Sequence, residues 1–116
     1  MTKSILVEKS IEFAKDILPI TKSLRDANHR ILADQLFRSA TSIGASIHEA
    51  QASESIKDFI HKLKIANKEA WESDYWLKLT RSIMNFPPEI EMRRAIIHKM
   101  INKSITTAQK NAETKN

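Results

Sequence analysis

Residues that would mark out a particular class of protein are absent or scarce in this sequence. It has no cysteine, which excludes disulfide bonds and thiolate chemistry and suits a reducing compartment. One glycine and three prolines among 116 residues are too few for the many turns of an all-β fold. A single glycine also excludes a glycine-rich loop of the kind that binds phosphate groups.

Long apolar runs are absent as well. No stretch approaches the length of a transmembrane helix, and Glu8 and Lys9 interrupt the first apolar segment before a signal-like run builds up. We therefore expect a cytoplasmic protein that does not contact a membrane. The apolar fraction of 41% is too high for a disordered chain. The length predicts a single domain, residues 1–109, followed by a frayed tail, residues 110–116.

Apolar residues recur at spacings of three and four along most of the chain, which predicts four helices. The first helix is predicted from about Lys3 to Leu24, and Pro19 is expected to kink it or to end it near Leu18. Residues 26–28 form the predicted connection to the second helix. The predicted buried face of the first helix consists of Ile5, Leu6, Ile11, Ala14, Ile17, Leu18, Thr21 and Leu24.

The second helix is predicted over about residues 29–50, with a narrower apolar stripe. Its centre consists almost entirely of small residues and includes the only glycine, Gly44. Because a glycine within a helix costs about 1 kcal/mol relative to alanine, we expect that Gly44 allows another backbone to approach closely. The stripe consists of Leu32, Leu36, Ala40, Ile43, Ile47 and Ala50.

Start and stop signals define the remaining two helices. Ser55 followed by Asp58 predicts the capped start of the third helix, which continues to about Met84. Pro88 followed by acidic residues predicts the start of the fourth helix, which runs to about Gln109. The short links predict an all-α, antiparallel up-down-up-down four-helix bundle. The fourth helix is expected to bury Ile90, Ile97, Ile101, Ile105 and Ala108.

The third helix carries three stripes at helical spacing. The core face consists of Ile56, Phe59, Ile60, Leu63, Ala66, Ala70 and Leu77. The basic stripe consists of Lys57, His61, Lys64, Lys68, Trp71, Tyr75 and Lys78. The apolar stripe consists of Ile65, Glu69, Glu72, Trp76, Leu79 and Ile83.

The basic stripe has two interpretations. Lysines along a helix can contact successive phosphates while an aromatic ring stacks on a base, which predicts nucleic-acid binding through Lys57, His61, Lys64, Lys68, Trp71 and Lys78. Alternatively, the lysines form a solvated face and the two rings close the edge of the core. The net charge of +5 and a pI near 9.6 favour polyanionic partners.

The apolar stripe also has two interpretations. A monomeric bundle does not need apolar side chains opposite its core, and Trp76 is typical of the residues that anchor interfaces. The stripe therefore predicts an oligomer interface, in which Glu69 and Glu72 make buried polar contacts, one candidate partner being Arg38. Alternatively, the bundle covers more of this helix than the periodicity indicates.

Catalytic and metal-binding patterns are scarce. Only Asp26 with His29 and Asp58 with His61 have the Asp-x-x-His spacing, whereas a di-iron bundle uses paired Glu-x-x-His motifs with further glutamates. No serine belongs to a motif that would activate it as a nucleophile. We therefore expect no enzymatic activity, no metal, no cofactor and no small-molecule substrate.

The two central helices resemble a bacterial family of four-helix-bundle proteins encoded by reading frames in intervening sequences of large-subunit ribosomal RNA genes. The segments RSATSIGASI, KDF and YWL carry much of the resemblance. Ser46 departs from the family pattern, in which asparagine is expected. The matching positions are Gln35, Arg38, Ser39, Ala40, Ser42, Ile43, Ala45, Ile47, Glu49, Ala50, Lys57, Asp58, Phe59, Ala66, Glu69, Glu72, Trp76 and Leu77.

The resemblance implies an antiparallel bundle that assembles into a ring, with a pentamer as the expected form. Bundles similar to it accompany diversity-generating retroelements, where a basic pentameric barrel binds nucleic acid and a reverse transcriptase. Two hypotheses follow. The first is an RNA- or DNA-binding homo-oligomer that uses the basic stripe together with Arg25, Arg30, Arg93 and Arg94. The second is a protein-interaction scaffold or accessory subunit without direct nucleic-acid contact.

Overall fold

Four α-helices make up the computed structural model, which describes residues 2–115, with side chains from residue 5 to residue 113. They are α1 (Thr2–Asp26), α2 (Arg30–Ala50), α3 (Ile56–Arg81) and α4 (Glu89–Lys115), and no strand occurs within residues 2–115. Each helix packs against its neighbour in sequence, and α4 closes the arrangement against α1. The body measures 54 × 21 × 21 Å. The predicted all-α four-helix architecture is confirmed.

Helix α1 differs from its prediction in two respects. It continues through Pro19 to Asp26, two residues beyond the predicted Leu24, so the alternative in which it ends near Leu18 is wrong. A proline inside a helix costs about 3 kcal/mol, but Ile20 and Leu24 lie beyond it and are fully or almost fully buried. Their packing keeps the last turns helical.

The buried face of α1 is also narrower than predicted. Ile5, Ile11 and Leu18 are 46%, 49% and 49% exposed. The prediction included apolar residues at the edges of the buried face and omitted Ser10, Phe13 and Ile20, which are buried. That face consists of Leu6, Ser10, Phe13, Ile17, Ile20, Thr21 and Leu24.

Asn28 ends α1 and reverses the chain. It has a φ of 68°, the left-handed conformation that asparagine tolerates better than most residues. The His29 N–H donates to the Leu24 carbonyl at 2.8 Å, and the Asn28 N–H donates to the Arg25 carbonyl at 3.0 Å. These two bonds form a Schellman motif, which satisfies carbonyl groups at the helix end. The predicted short connection is confirmed.

Gly44 lies where α1 and α2 approach each other. A Cβ atom at Gly44 would stand 3.1 Å from Ser10 Oγ and 3.4 Å from Ser10 Cβ. Ser10 Oγ is held in place because it donates to the Val7 carbonyl at 2.7 Å. The expectation of a close approach at the only glycine is therefore confirmed. All six residues predicted for the α2 stripe are buried.

Polar contacts fix both ends of α3. The Asp58 N–H donates to Ser55 Oγ at 3.0 Å, which confirms the predicted cap. The helix ends at Arg81, three residues before the predicted Met84. Arg81 Nη1 donates to the Phe86 carbonyl at 2.6 Å, and the Arg81 guanidinium also pairs with Glu91. These contacts hold the α3–α4 loop against the start of α4.

Helix α4 buries the five residues predicted for its core face, together with two polar residues that the sequence interpretation missed, Arg94 and His98. It continues helically to Lys115, six residues beyond the predicted Gln109. The division into a domain, residues 1–109, and a tail that frays in solution stays a prediction. Residue 116 of that tail lies outside the described residues.

Candidate functional site

The apolar stripe of α3 is exposed in the single chain. Ile65, Leu79 and Ile83 are 37%, 41% and 44% exposed. The alternative that the bundle covers them is therefore wrong. Trp76 is an exception in part, because it is half-buried and packs against the core. Ile65, Leu79 and Ile83 therefore present an apolar surface that residues 5–113 leave open to solvent.

Arg38 joins the two glutamates of this stripe to α2. Its Nη1 donates to Glu69 Oε1 and Oε2 at 3.3 and 3.2 Å, and its Nη2 donates to Glu72. Glu72 also accepts a bond from Trp76 Nε1 at 3.1 Å. The predicted pairing with Arg38 is present, and it lies within one chain. This group, the Arg38 clamp, therefore gives both carboxylates a cationic partner without a partner subunit and keeps a net charge of −1.

The basic stripe lies on the other outer side of α3. All seven of its side chains are exposed. Lys78 pairs with Asp74 at 3.0 Å, whereas Lys57, Lys64 and Lys68 make no salt bridge within the described side chains. Three positive charges therefore remain uncompensated along this face.

Most of the arginines expected to join the basic stripe have acidic partners instead. Arg25 pairs with Asp34, and Arg93 pairs with Asp16. The hydrogen bond and charge of Asp16 raise the pKa of the Arg93 guanidinium. Arg94 is only 9% exposed, so its expected contact with a polyanion is wrong. Its charge is used inside the bundle.

The two exposed aromatic rings of the basic stripe do not close the core, which corrects the second interpretation of their role. Trp71 and Tyr75 are 62% and 60% exposed. The Trp71 ring packs edge-to-face against His98 of α4, with ring centroids 4.8 Å apart. Tyr75 makes a similar contact with Trp76 at 4.9 Å. Each ring is held along one side and faces solvent on the rest of its surface.

A polar cluster of Arg94, His98 and Asp74 lies next to Trp71, and its His98 ring contacts the indole. Arg94 Nη1 donates to the Ala70 carbonyl at 3.3 Å and lies 3.1 Å from His98 Nδ1. Arg94 Nη2 is 3.5 Å from Asp74 Oδ1. Burial lowers the pKa of His98, the charge of Arg94 lowers it further, and Asp74 opposes both effects. His98 is therefore held in its neutral form.

One signal in the sequence points to this cluster. Arg94 and His98 are four residues apart and fall within the apolar repeat of α4, between Ile90 and Ile101. A charged residue at a core position indicates a buried ionic partner. Periodicity alone did not reveal that the partner was Asp74.

A cleft of about 480 Å³ opens at the end of the bundle that carries the α2–α3 loop. Its walls are mostly apolar, and Lys103 is the one charged group among its lining residues. It holds no carboxylate that could act in acid–base catalysis. Among the described residues, no three His, Asp or Glu side chains come together as metal ligands. The helices of residues 2–115 include none that is long and apolar enough to cross a membrane.

Comparisons with known proteins agree with this architecture. A crystal structure from Bacteroides thetaiotaomicron, described as a protein with unknown function from the S23 ribosomal protein family, is 37% identical to this chain with a TM-score of 0.83. The likeness covers 91% of this chain and 99% of that one. The comparison with curated proteins finds no match. The family model of the 23S rRNA-intervening sequence protein matches residues 2–107. The chain therefore belongs to the 23S rRNA-intervening sequence protein family.

Proposed function

We propose that this protein is a non-enzymatic, cytoplasmic homo-oligomer that binds RNA or DNA through the basic stripe of α3. The observation that carries the proposal is the set of three exposed lysines, Lys57, Lys64 and Lys68, that no carboxylate of the described side chains neutralises. An uncompensated row of cations is the feature that polyanions recognise.

The spacing of these lysines suits a nucleic-acid strand. Lys57 and Lys68 are eleven residues apart, roughly 16 Å along the helix axis at 1.5 Å per residue. Lys64 and Lys68 are one turn apart, about 6 Å by the same measure. Phosphates along one strand recur at intervals within this reach, so all three lysines can contact phosphates together. Trp71 stands on the same face with most of its ring exposed.

A ring-shaped assembly, with a pentamer as the expected form, is the second part of the proposal. A ring uses head-to-tail contacts, which require two different surfaces on each subunit. Besides the apolar stripe of α3, α1 exposes Ile11 and Leu18 seven residues apart. Because α1 packs against α2 and α4 and not against α3, these two apolar surfaces lie on diagonally placed helices and are separate from each other. That arrangement suits a closed series of head-to-tail contacts.

Charge reversal tests the nucleic-acid proposal. Replacing Lys57, Lys64 and Lys68 with glutamate should lower affinity for RNA and DNA at least about tenfold and flatten the salt dependence by about two units. The matched control replaces Lys9, Lys15 and Lys103, exposed on α1 and α4, and changes the net charge equally. It should retain most of the affinity. Equal losses in both triple variants, or a wild type without salt-dependent affinity, would overturn the proposal.

The second candidate function is a protein-interaction scaffold or accessory subunit. The exposed apolar stripe favours it, since patches of this kind mark protein contacts. The same binding assay separates the two candidates. A wild type that assembles but binds neither RNA nor DNA leaves the scaffold as the function.

A further inference from the structure

Trp71 is an aromatic platform with a fixed support. Trp71 is 62% exposed, and the plane of its ring makes an angle of 89° with the plane of the His98 ring. In an edge-to-face contact, one ring presents its edge to the other, so at most one face of the indole is covered. At least one face of Trp71 is therefore open to a planar partner.

The support is rigid because His98 is tied to both helices. Arginine has only hydrogen-bond donors, so His98 Nδ1 accepts from Arg94 Nη1 at 3.1 Å and the ring proton belongs on Nε2. Arg94 is in turn bound to the Ala70 carbonyl and to Asp74, both on α3. The imidazole of α4 thus keeps one orientation relative to the helix that carries Trp71.

His98 Nε2 has no conventional partner. It is buried and contacts no hydrogen-bonding nitrogen or oxygen of the described residues. An imidazole N–H directed at an indole ring makes a weak N–H···π contact, and edge-to-face packing is the geometry that allows one. His98 is 7% exposed, and its ring contacts Trp71 edge-to-face.

We infer that the nucleic-acid partner is single-stranded and that His98 is the positioning residue that holds Trp71 for stacking on an unpaired base. This inference rests on the proposed function. The bases of a duplex already stack on one another, so an exposed ring beside a row of lysines gains a contact only from a strand whose bases are free. Lys68 stands within one turn of Trp71 and Lys64 about two turns away, both on its N-terminal side, where they would hold phosphates of the strand next to that base.

The first test compares a labelled single strand with the duplex that it forms with its complement, at pH 8 and fixed salt. Trp71→Ala and His98→Ala should each weaken single-strand binding about 5- to 100-fold while leaving duplex binding nearly unchanged. His98→Phe retains an aromatic edge against Trp71 and should bind the single strand much as wild type does. Circular dichroism checks that each variant is folded.

The second test needs no nucleic acid. In a Trp76→Phe background, Trp71 is the only tryptophan, and acrylamide quenching measures its exposure. His98→Ala should increase the quenching, whereas His98→Phe should restore it toward the wild-type value. Unchanged quenching in His98→Ala would overturn the positioning role, whatever the binding results.

The outcomes distinguish this inference from the proposed function. If wild type binds duplex and single strand equally and Trp71→Ala changes neither, the single-strand inference is wrong while the proposed function stands. If wild type binds no nucleic acid of either form, both are wrong.

Discussion

The two outer sides of α3 differ in whether their charged side chains have ionic partners. On the side of the apolar stripe, Glu69 and Glu72 are clamped by Arg38, and the side chains beside them are apolar. On the side of the basic stripe, Lys64 and Lys68 have no acidic partner within the described side chains. One helix therefore offers an apolar surface whose carboxylates are paired, which suits a protein partner, and an uncompensated cationic surface, which suits a polyanion.

Breaking the apolar stripe should have the largest effect. The double variant Leu79→Glu with Ile83→Glu should reduce the oligomer to the 13.3 kDa subunit, because burying two unpaired carboxylates in an interface costs several kcal/mol. Light scattering at micromolar concentration measures the mass, and a pentamer would weigh five times the subunit. Ile31→Glu on α2, at a site that is 82% exposed, is the control and should leave the mass unchanged.

Mixing two variants tests whether the assembly is head-to-tail. Ile11→Glu with Leu18→Glu on α1 should also give monomers. If α1 of one subunit meets α3 of the next, an equimolar mixture of the α1 and α3 variants keeps one intact contact and should form heterodimers of twice the subunit mass. A wild-type monomer, or an α1 variant with the wild-type mass, would contradict the ring.

The next prediction compares one cation from each side of α3. Arg38→Ala should lower the free energy of unfolding by about 1–2 kcal/mol, because Glu69 and Glu72 would then face each other without a counter-charge. Lys68→Ala removes a lysine that has no salt bridge and should change stability by less than about 0.5 kcal/mol. Urea titrations measure both values. Equal effects would show that the clamp adds nothing to stability.

The sequence was sufficient for the fold because the apolar repeat and the caps agree along most of the chain. The α2 stripe, the Ser55 cap and the close approach at Gly44 were all predicted. The prediction failed where helix packing decides the outcome. Residues beyond Pro19 bury enough side-chain surface to keep α1 helical, and the apolar residues Ile5, Ile11 and Leu18 stay exposed outside the core.

The candidate site was only partly predictable for a related reason. Periodicity places residues on a helix face, but it does not say which residue of another helix lies opposite. The exposed lysines of α3 were identified from one helix alone. The pairing of Arg94 with Asp74 and the contact of Trp71 with His98 both join α3 to α4, so they required the packed structure.

A smaller effect distinguishes lysines within the basic stripe. Lys64→Gln should reduce the salt dependence of nucleic-acid binding by about 0.7–0.9 units in a plot of log affinity against log salt, the share of one phosphate contact. Lys78→Gln should reduce it less, because Asp74 lies 3.0 Å from Lys78 and already compensates part of its charge. Titrations at several salt concentrations give both slopes. A larger change for Lys78 than for Lys64 would contradict the assignment of uncompensated charge.

The smallest expected effect is the pH dependence of stability that comes from His98, the residue that contacts Trp71 of the basic stripe. The pKa of His98 in the folded protein is lowered from the ordinary value of 6.5. At a pH between the folded pKa and 6.5, His98 therefore binds a proton in the unfolded chain but not in the folded chain. Stability should therefore be unaffected by His98 above pH 6.5 and should fall as the pH drops through 6.5 toward the folded pKa. A protonated ring would turn a second donor toward Arg94, and Asp74, which is also paired with Lys78, offsets this only in part. Urea titrations between pH 8 and pH 5 measure this effect. The free energy of unfolding should fall less with decreasing pH in His98→Phe than in wild type. The control is His61→Phe, because His61 is exposed on the basic stripe. An identical pH profile for His98→Phe and wild type would mean that protonating His98 costs the folded state nothing, and the polar cluster next to Trp71 would then not depend on a neutral ring.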